Sequence, residues 1–179
     1  MTRIGSVYGE ALYGLAKEEG FADRVLAEVK VLEEAFAAEP GFVRLLSAPN
    51  LPKEERCKIV DDSFAGKVQT HLLNFMKILT EKGYMRHFSE CCAAYRALYN
   101  EDHGILPVKA FTAVSLTPEQ TAKLSEKLAM ITGKTIELQN KIDPNCLGGV
   151  RLDYDGKRVD DTVRHRLDAI HSLLKNTVL

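Results

Sequence analysis

Residues 135–157 read TIELQNKIDPNCLGGVRLDYDGK, and their spacing decides what the second half of the chain can be. Ile136, Leu138 and Ile142 alternate with Glu137, Gln139 and Lys141, the period-two pattern of a strand with one face buried. Asp143-Pro144-Asn145 turns the chain, since Asp and Asn bond their own backbone and proline presets φ. Val150, Leu152 and Tyr154 repeat the alternation. Asp155-Gly156 is a two-residue hairpin signal because glycine accepts positive φ at little cost, so Lys157 to Asp160 returns antiparallel. Periodicity does not demand Gly148-Gly149; that pair is assigned to backbone geometry, a bulge or a close packing, with partner contact secondary.

Upstream, Thr117-Pro118-Glu119-Gln120 supplies an N-cap, a proline at the first helical position and a glutamine for the reciprocal bond. The helix it starts runs through Leu124, Leu128 and Ile131 to Gly133. Before it, Ile105 to Thr117 is rich in β-branched and apolar residues, and Pro107 favours an edge position or a strand start. Downstream, Asp160 and Asp161 lead into a last helix carrying Val163, Leu167, Ile170 and Leu174, with carboxylates near its positive end.

The first hundred residues use a different period, apolar residues at steps of three and four. Ile4, Tyr8, Ala11 and Leu15 make one stripe, widened by Val7 and Leu12; Val25, Val29, Leu32 and Phe36 make the second, ending before Pro40-Gly41. A short cluster at Phe42, Val43, Leu45 and Leu46 stops at Ala48-Pro49, and Pro52 opens a helix with Cys57, Ile59 and Val60. Val68, Leu72, Phe75 and Leu79 form the fifth stripe, capped by Gly83. Phe88, Cys91, Tyr95 and Leu98 form the sixth, ending near His103-Gly104. The expected fold class is therefore α+β: an N-terminal all-α six-helix bundle over residues 1–104, then a small mixed β-α-β-β-β-α domain over 105–179.

Composition narrows the function. With 179 residues, 45% hydrophobic and 27% charged, the chain suits one ordinary domain or two small ones without metals or disulfides. No apolar run approaches the roughly 18 residues of a membrane span, and the N-terminus lacks a secretory apolar region, so mature structure made in the cytoplasm is expected. A net charge of −1 argues against a nucleic-acid partner held by phosphate contacts. Residues 1–104 hold 13 Lys/Arg against 16 Asp/Glu, and 105–179 hold 11 against 9, too slight an asymmetry to name a partner. A nucleic-acid module would want a basic face and exposed strand aromatics, of which Phe111 and Tyr154 are the candidates.

No catalytic or metal constellation emerges. Gly133-Lys134-Thr135 resembles the end of a phosphate loop, but Leu128 stands where the earlier glycine belongs, and the tripeptide leaves a helix instead of opening one. His71, His87, His103, His165 and His171 are scattered without ligand spacing. Cys57, Cys91, Cys92 and Cys146 lack paired spacing and read as structural thiols. Glu54-Glu55, Asp61-Asp62 and Asp160-Asp161 read as solvated faces or caps, and Arg151, Lys157, Arg158, Arg164 and Arg166 are interrupted by acids. No enzyme, cofactor or metal is expected.

A helical first half followed by Ile136, Leu138, Ile142, Asp143, Leu147, Gly148, Gly149, Val150, Leu152 and Gly156 closely resembles the delta subunit family of F-type ATP synthase, whose mitochondrial counterpart confers oligomycin sensitivity. The segment Val159 to Leu167 resembles that family's approach to its last helix, and Tyr8, Ala11, Leu12 and Ala16 resemble its opening helix. The departures are Gly9 where alanine is usual, Asp161 where glycine is common and Thr162 for a usual serine. The resemblance implies a non-catalytic stator subunit, one copy per complex, peripheral at the cytoplasmic face of the cell membrane without inserting into it. It implies that residues 1–104 bind the N-terminal segments of the alpha subunits and that 105–179 bind the b subunits, so that proton-driven rotation is coupled to ATP synthesis.

By the same resemblance, the groove for an alpha segment lies between the first and fifth helices. Tyr8, Ala11, Leu12 and Leu15 with Phe75, Ile78 and Leu79 line or support it, because their stripes are wider than one core-facing row needs. For any single one, a plain core role is an equal alternative. The stripe Val163, Leu167, Ile170 and Leu174 can pack on the sheet or receive stalk helices, and the division stays open.

Overall fold

The computed structural model describes residues 2–48, 50–165 and 167. The chain divides into two compact units, residues 1–99 and 100–179. In the first unit lie α1 (Arg3–Glu18), α2 (Ala22–Ala38), α3 (Pro40–Leu46), α4 (Lys53–Phe64), α5 (Thr70–Glu81) and a 3-10 turn at Met85–His87; α6 (Phe88–Asp102) spans the division, and the chain leaves it through Gly104 at φ 61°. The expected boundary at 104 thus marks the end of a helix, whereas the units part inside that helix.

Helices α2, α5 and α6 bury the faces that their apolar spacing dictates, and one long helix of this unit is an exception. Val25, Val29, Leu32 and Phe36 of α2, Leu72, Phe75, Met76 and Leu79 of α5, and Phe88, Cys91, Cys92, Tyr95 and Tyr99 of α6 are buried. Phe36 joins four elements, its ring meeting Phe42, Phe64 and Phe88 at centroid distances of 5.1–6.0 Å. Burying each such side chain contributes about 1.5–3 kcal/mol. α5 ends as Gly83 was expected to end it: with Gly83 at φ 71°, Tyr84 N–H donates to Leu79 O (2.7 Å) and Gly83 N–H to Thr80 O.

The exception is α1. Its buried residues are Gly5, Gly9, Leu12, Tyr13 and Ala16, a face about a third of a turn from the expected stripe Ile4, Tyr8, Ala11 and Leu15. The glycines cause this rotation. A Cβ on Gly9 would stand 2.5 Å from Cys91 O and 2.6 Å from the Ala94 Cβ, and one on Gly5 would stand 2.6 Å from the Glu90 Cβ, so α1 meets α6 backbone to backbone. Tyr13 meets Tyr95 edge-on at 5.3 Å, and Tyr95 OH donates to Ala22 O. The greasier row of α1 is left outside.

The second unit holds β1 (Ile105–Thr112), α7 (Pro118–Thr132), β2 (Thr135–Ile142), a 3-10 turn at Pro144–Cys146, β3 (Val150–Tyr154) and β4 (Lys157–Asp160), and a helix begins at Val163. The sheet order is β2-β1-β3-β4, with β2 parallel to β1 and the remaining pairs antiparallel. α7 starts with the expected capping box, Thr117 and Gln120 bonding reciprocally, and ends on Gly133 at φ 68°. One sheet face packs Leu106, Val108, Ala110 and Leu152 against Leu128 of α7, flanked by Leu124, Ile136, Leu138, Val150 and Tyr154. Ile170, Leu174 and His171, and with them the rest of the predicted last helix, lie outside the described residues.

Pro107 lies near the start of β1, and because β3 pairs only with Lys109–Thr112, β1 has β2 alone beside it there, the edge-like place a proline favours in a strand that is otherwise an inner one. Two local expectations are corrected. Ile131 is exposed, because α7 turns a face centred on Leu128, Thr121 and Thr132 to the sheet and Ile131 sits about a quarter turn away. Ile142 is exposed as well. Past Leu138 the inward row of β2 turns polar: Asn140 donates to Ala110 O and to Thr112 Oγ1 and accepts from Leu116 N–H, closing the β1–α7 connection.

Candidate docking face

α1 and α5 lie side by side and antiparallel. At one end, Phe21 stacks on His71 (4.9 Å) and His71 Nε2 stands 3.1 Å from Glu19 Oε2; at the other, Tyr8 meets Tyr84 edge-on at 6.0 Å. Between these ends the apolar row rotated out of the α1–α6 seam meets solvent: Val7 is 54% exposed, Leu15 36%, and Ala11 is exposed, with Ile78 of α5 at 44%. Leu12, Phe75 and Leu79 are buried beneath and Tyr8 is half-buried. Of the seven residues singled out from sequence, Ala11, Leu15, Ile78 and part of Tyr8 are thus accessible, and the other three are buried. Val7, read only as widening a core stripe, is the most exposed of the row's larger side chains. Gly5 and Gly9 were the available signal, because small residues four apart invite a close helix neighbour and so decide which face turns outward.

The start of α1 is tied to α6 by charge. Thr2 N–H (2.7 Å) and the Thr2 hydroxyl both donate to Glu90, and His87 Nδ1 lies 3.5 Å from it. Those bonds, the Thr2 hydroxyl foremost, lower the Glu90 pKa to about 2. Arg56, which sequence reading passed over, is 6% exposed and donates from Nη1 to Leu46 O at 3.0 Å, placing a cation at the carboxyl end of α3.

In the second unit, the residues of the 135–157 signature hold backbone. Asp143 Oδ1 accepts from Asn145 N–H, forming the turn. Gly149 has φ 78°, and a Cβ there would stand 2.3 Å from Asp161 O. Around it Asp161 N–H donates to Val150 O and Val163 N–H to Gly148 O, so Gly148 and Gly149 seat the start of the last helix against β3. Thr162 caps that helix: its hydroxyl accepts from His165 N–H and donates to Asp160, lowering the Asp160 pKa. Asp155 (φ 48°) and Gly156 (φ 69°) make the expected hairpin turn.

The residues that carry chemistry elsewhere are occupied. Burial pushes the Cys91 thiol up to about 11 and the Cys92 thiol higher still. Gly133-Lys134-Thr135 is the C-cap of α7 entering β2. Phe111 lies under the Arg151 guanidinium at 4.1 Å and Tyr154 packs against the sheet core, so neither offers a free stacking platform for bases. Among the described residues, no three His, Cys, Asp or Glu side chains converge as metal ligands, and no helix is long and apolar enough to cross a membrane.

The sequence profile of the ATP synthase delta (OSCP) subunit matches residues 4–174. The chain is similar to ATP synthase subunit delta of Alkaliphilus oremlandii, 29% identical over 176 residues and 98% of each chain. It is likewise similar to that of Lactobacillus gasseri, 31% identical over 172 residues, 96% of this chain and 94% of the other. Its fold is similar to that of a chain in the Toxoplasma gondii mitochondrial ATP synthase hexamer, with a TM-score of 0.77 at 16% identity over 97% of this chain and 98% of that one.

Proposed function

Because the chain belongs to the ATP synthase delta (OSCP) subunit family, a non-catalytic component of the peripheral stalk, we propose that its α1–α5 face receives an N-terminal segment of an alpha subunit. Residues 1–104 then act as a six-helix bundle seated on the catalytic head, and residues 105–179 receive the b subunits, at the cytoplasmic face of the cell membrane. The observation that carries this reading is the exposed row Val7, Ala11, Leu15 and Ile78 over a buried floor of Leu12, Phe75 and Leu79. An amphipathic helix laid on that row buries its apolar side while its polar side stays wet, and the small Ala11 lets it approach closely.

The subunit transmits force and catalyses nothing. Torque from the rotor would spin the head unless a stator held it, and the holding load enters through α1. The Gly5 and Gly9 contacts pass that load to α6 without a flexible side-chain layer between the two backbones. Replacing Ala11 with Trp lowers affinity for an alpha N-terminal peptide about ten-fold or more, equivalent to about 1.4 kcal/mol, with the far-UV circular dichroism unchanged. Val31→Trp, at a 65% exposed position on α2, is the control and leaves the affinity as it was. Unaltered binding by the Ala11 variant in calorimetry would remove the α1–α5 face from the proposal.

A further inference from the structure

A second apolar concavity in the helical unit is unrelated to the α1–α5 row. It is a cavity of about 680 Å³ bounded by α2, α3, the 3-10 turn and the start of α6. Phe36, Val43, Met85 and Phe88 make its apolar lining, and its size falls within the roughly 300–1,000 Å³ of small-molecule sites. Two exposed guanidiniums, Arg44 and Arg86, stand in its wall, and neither has a partner among the described residues. Ser47, also in the wall, carries a hydroxyl that is buried without a hydrogen-bond partner among those residues. The one carboxylate there, Glu33, is already neutralised by both terminal nitrogens of Arg96 and a bond from Ser89.

We propose that this cavity binds an aliphatic carboxylate of the fatty-acid type, its chain among the aromatic and aliphatic side chains and its head between Arg44 and Arg86. Charge complementarity selects the occupant. An uncharged hydrocarbon would leave both guanidiniums and the Ser47 hydroxyl unused, and a cation would face two like charges. Arginine forks match a carboxylate in a bidentate way, and the serine hydroxyl supplies one more donor. A partner helix, about 10–12 Å across with its side chains, would lie over the opening and not within the cavity.

Titration of the full-length chain with decanoate, read by calorimetry and by amide chemical shifts, tests this. Decanoate saturates one site and shifts residues of α2, α3 and the start of α6. Octanoate binds about 15-fold more weakly, as two fewer buried methylenes require. The double substitution Arg44→Gln, Arg86→Gln, both at exposed positions that leave the fold intact, weakens decanoate about ten-fold or more and leaves decanol unaffected. Decanol binding as tightly as decanoate, or decanoate binding the double variant undiminished, would overturn the proposal. So would shifts at the same residues from an acidic amphipathic helical peptide where decanoate gives none, which would make the cavity a protein-docking surface.

Discussion

Gly9 and Gly14 occupy the same helix and have opposite consequences. Gly9 faces α6 with no room for a methyl group, whereas a Cβ on Gly14 would meet nothing within 4 Å. Alanine is favoured over glycine by about 1 kcal/mol inside a helix, so Gly14→Ala stabilises the chain by about that amount. At Gly9 the same gain is opposed by overpacking of about 1–3 kcal/mol, and Gly9→Ala destabilises; urea unfolding of the two variants gives shifts of opposite sign. Glu90 adds a pH dependence whose direction follows from its bonds to Thr2. Its folded pKa, about 2, lies below the ordinary 4.5, so its stabilisation is complete above pH 4.5 and is lost as pH falls from 4.5 towards 2. Denaturation of the wild type and of Glu90→Gln therefore differs most at neutral pH, and the difference vanishes near pH 2.

Among the elements, the junction of β3 with the start of the last helix depends most on a single residue. Gly149 combines positive φ with a backbone oxygen 2.3 Å from where a Cβ would be, while Gly156 has positive φ in open space. Gly156→Ala carries the conformational cost alone, about 1–2 kcal/mol; Gly149→Ala adds a backbone clash and costs about 3 kcal/mol or more, with protection lost first at the amides of Asp161 and Val163 in hydrogen exchange. The Gly148-Gly149 pair was legible as backbone geometry because periodicity alone could not explain it, and the capping box and hairpin turn were legible because their bonds are local. The rotation of α1 was not read from sequence. Apolar spacing identifies a greasy stripe but not which neighbour it meets, and at Gly5 and Gly9 the closeness of α6 outweighed the area of Tyr8 and Leu15. Ile131 sits about a quarter turn off the face that α7 gives the sheet, and Ile142 ends a row that turns polar at Asn140, neither of which apolar spacing encodes; Arg56 was invisible because its acceptor is the carbonyl of Leu46 in another helix.

At the scale of the whole molecule, the chain has two units and one covalent path between them, α6 running out through Gly104 into β1. If the helical unit holds the head and the sheet unit holds the stalk, the two junctions act in series, and binding at both is not sufficient: the load must cross the connection. This separates a mechanical role from a merely tethering one. Cutting the chain at a specific protease site inserted between His103 and Gly104, after the complex has assembled in membranes, leaves both pieces bound to their partners yet abolishes ATP synthesis driven by a proton gradient, while hydrolysis by the head continues. Retention of both fragments with synthesis unchanged would mean that the stator load travels by another route and that continuity of α6 with β1 is dispensable. Loss of one fragment on cutting would instead identify the weaker of the two junctions, and restoring synthesis by re-ligation would return the load to the path through Gly104.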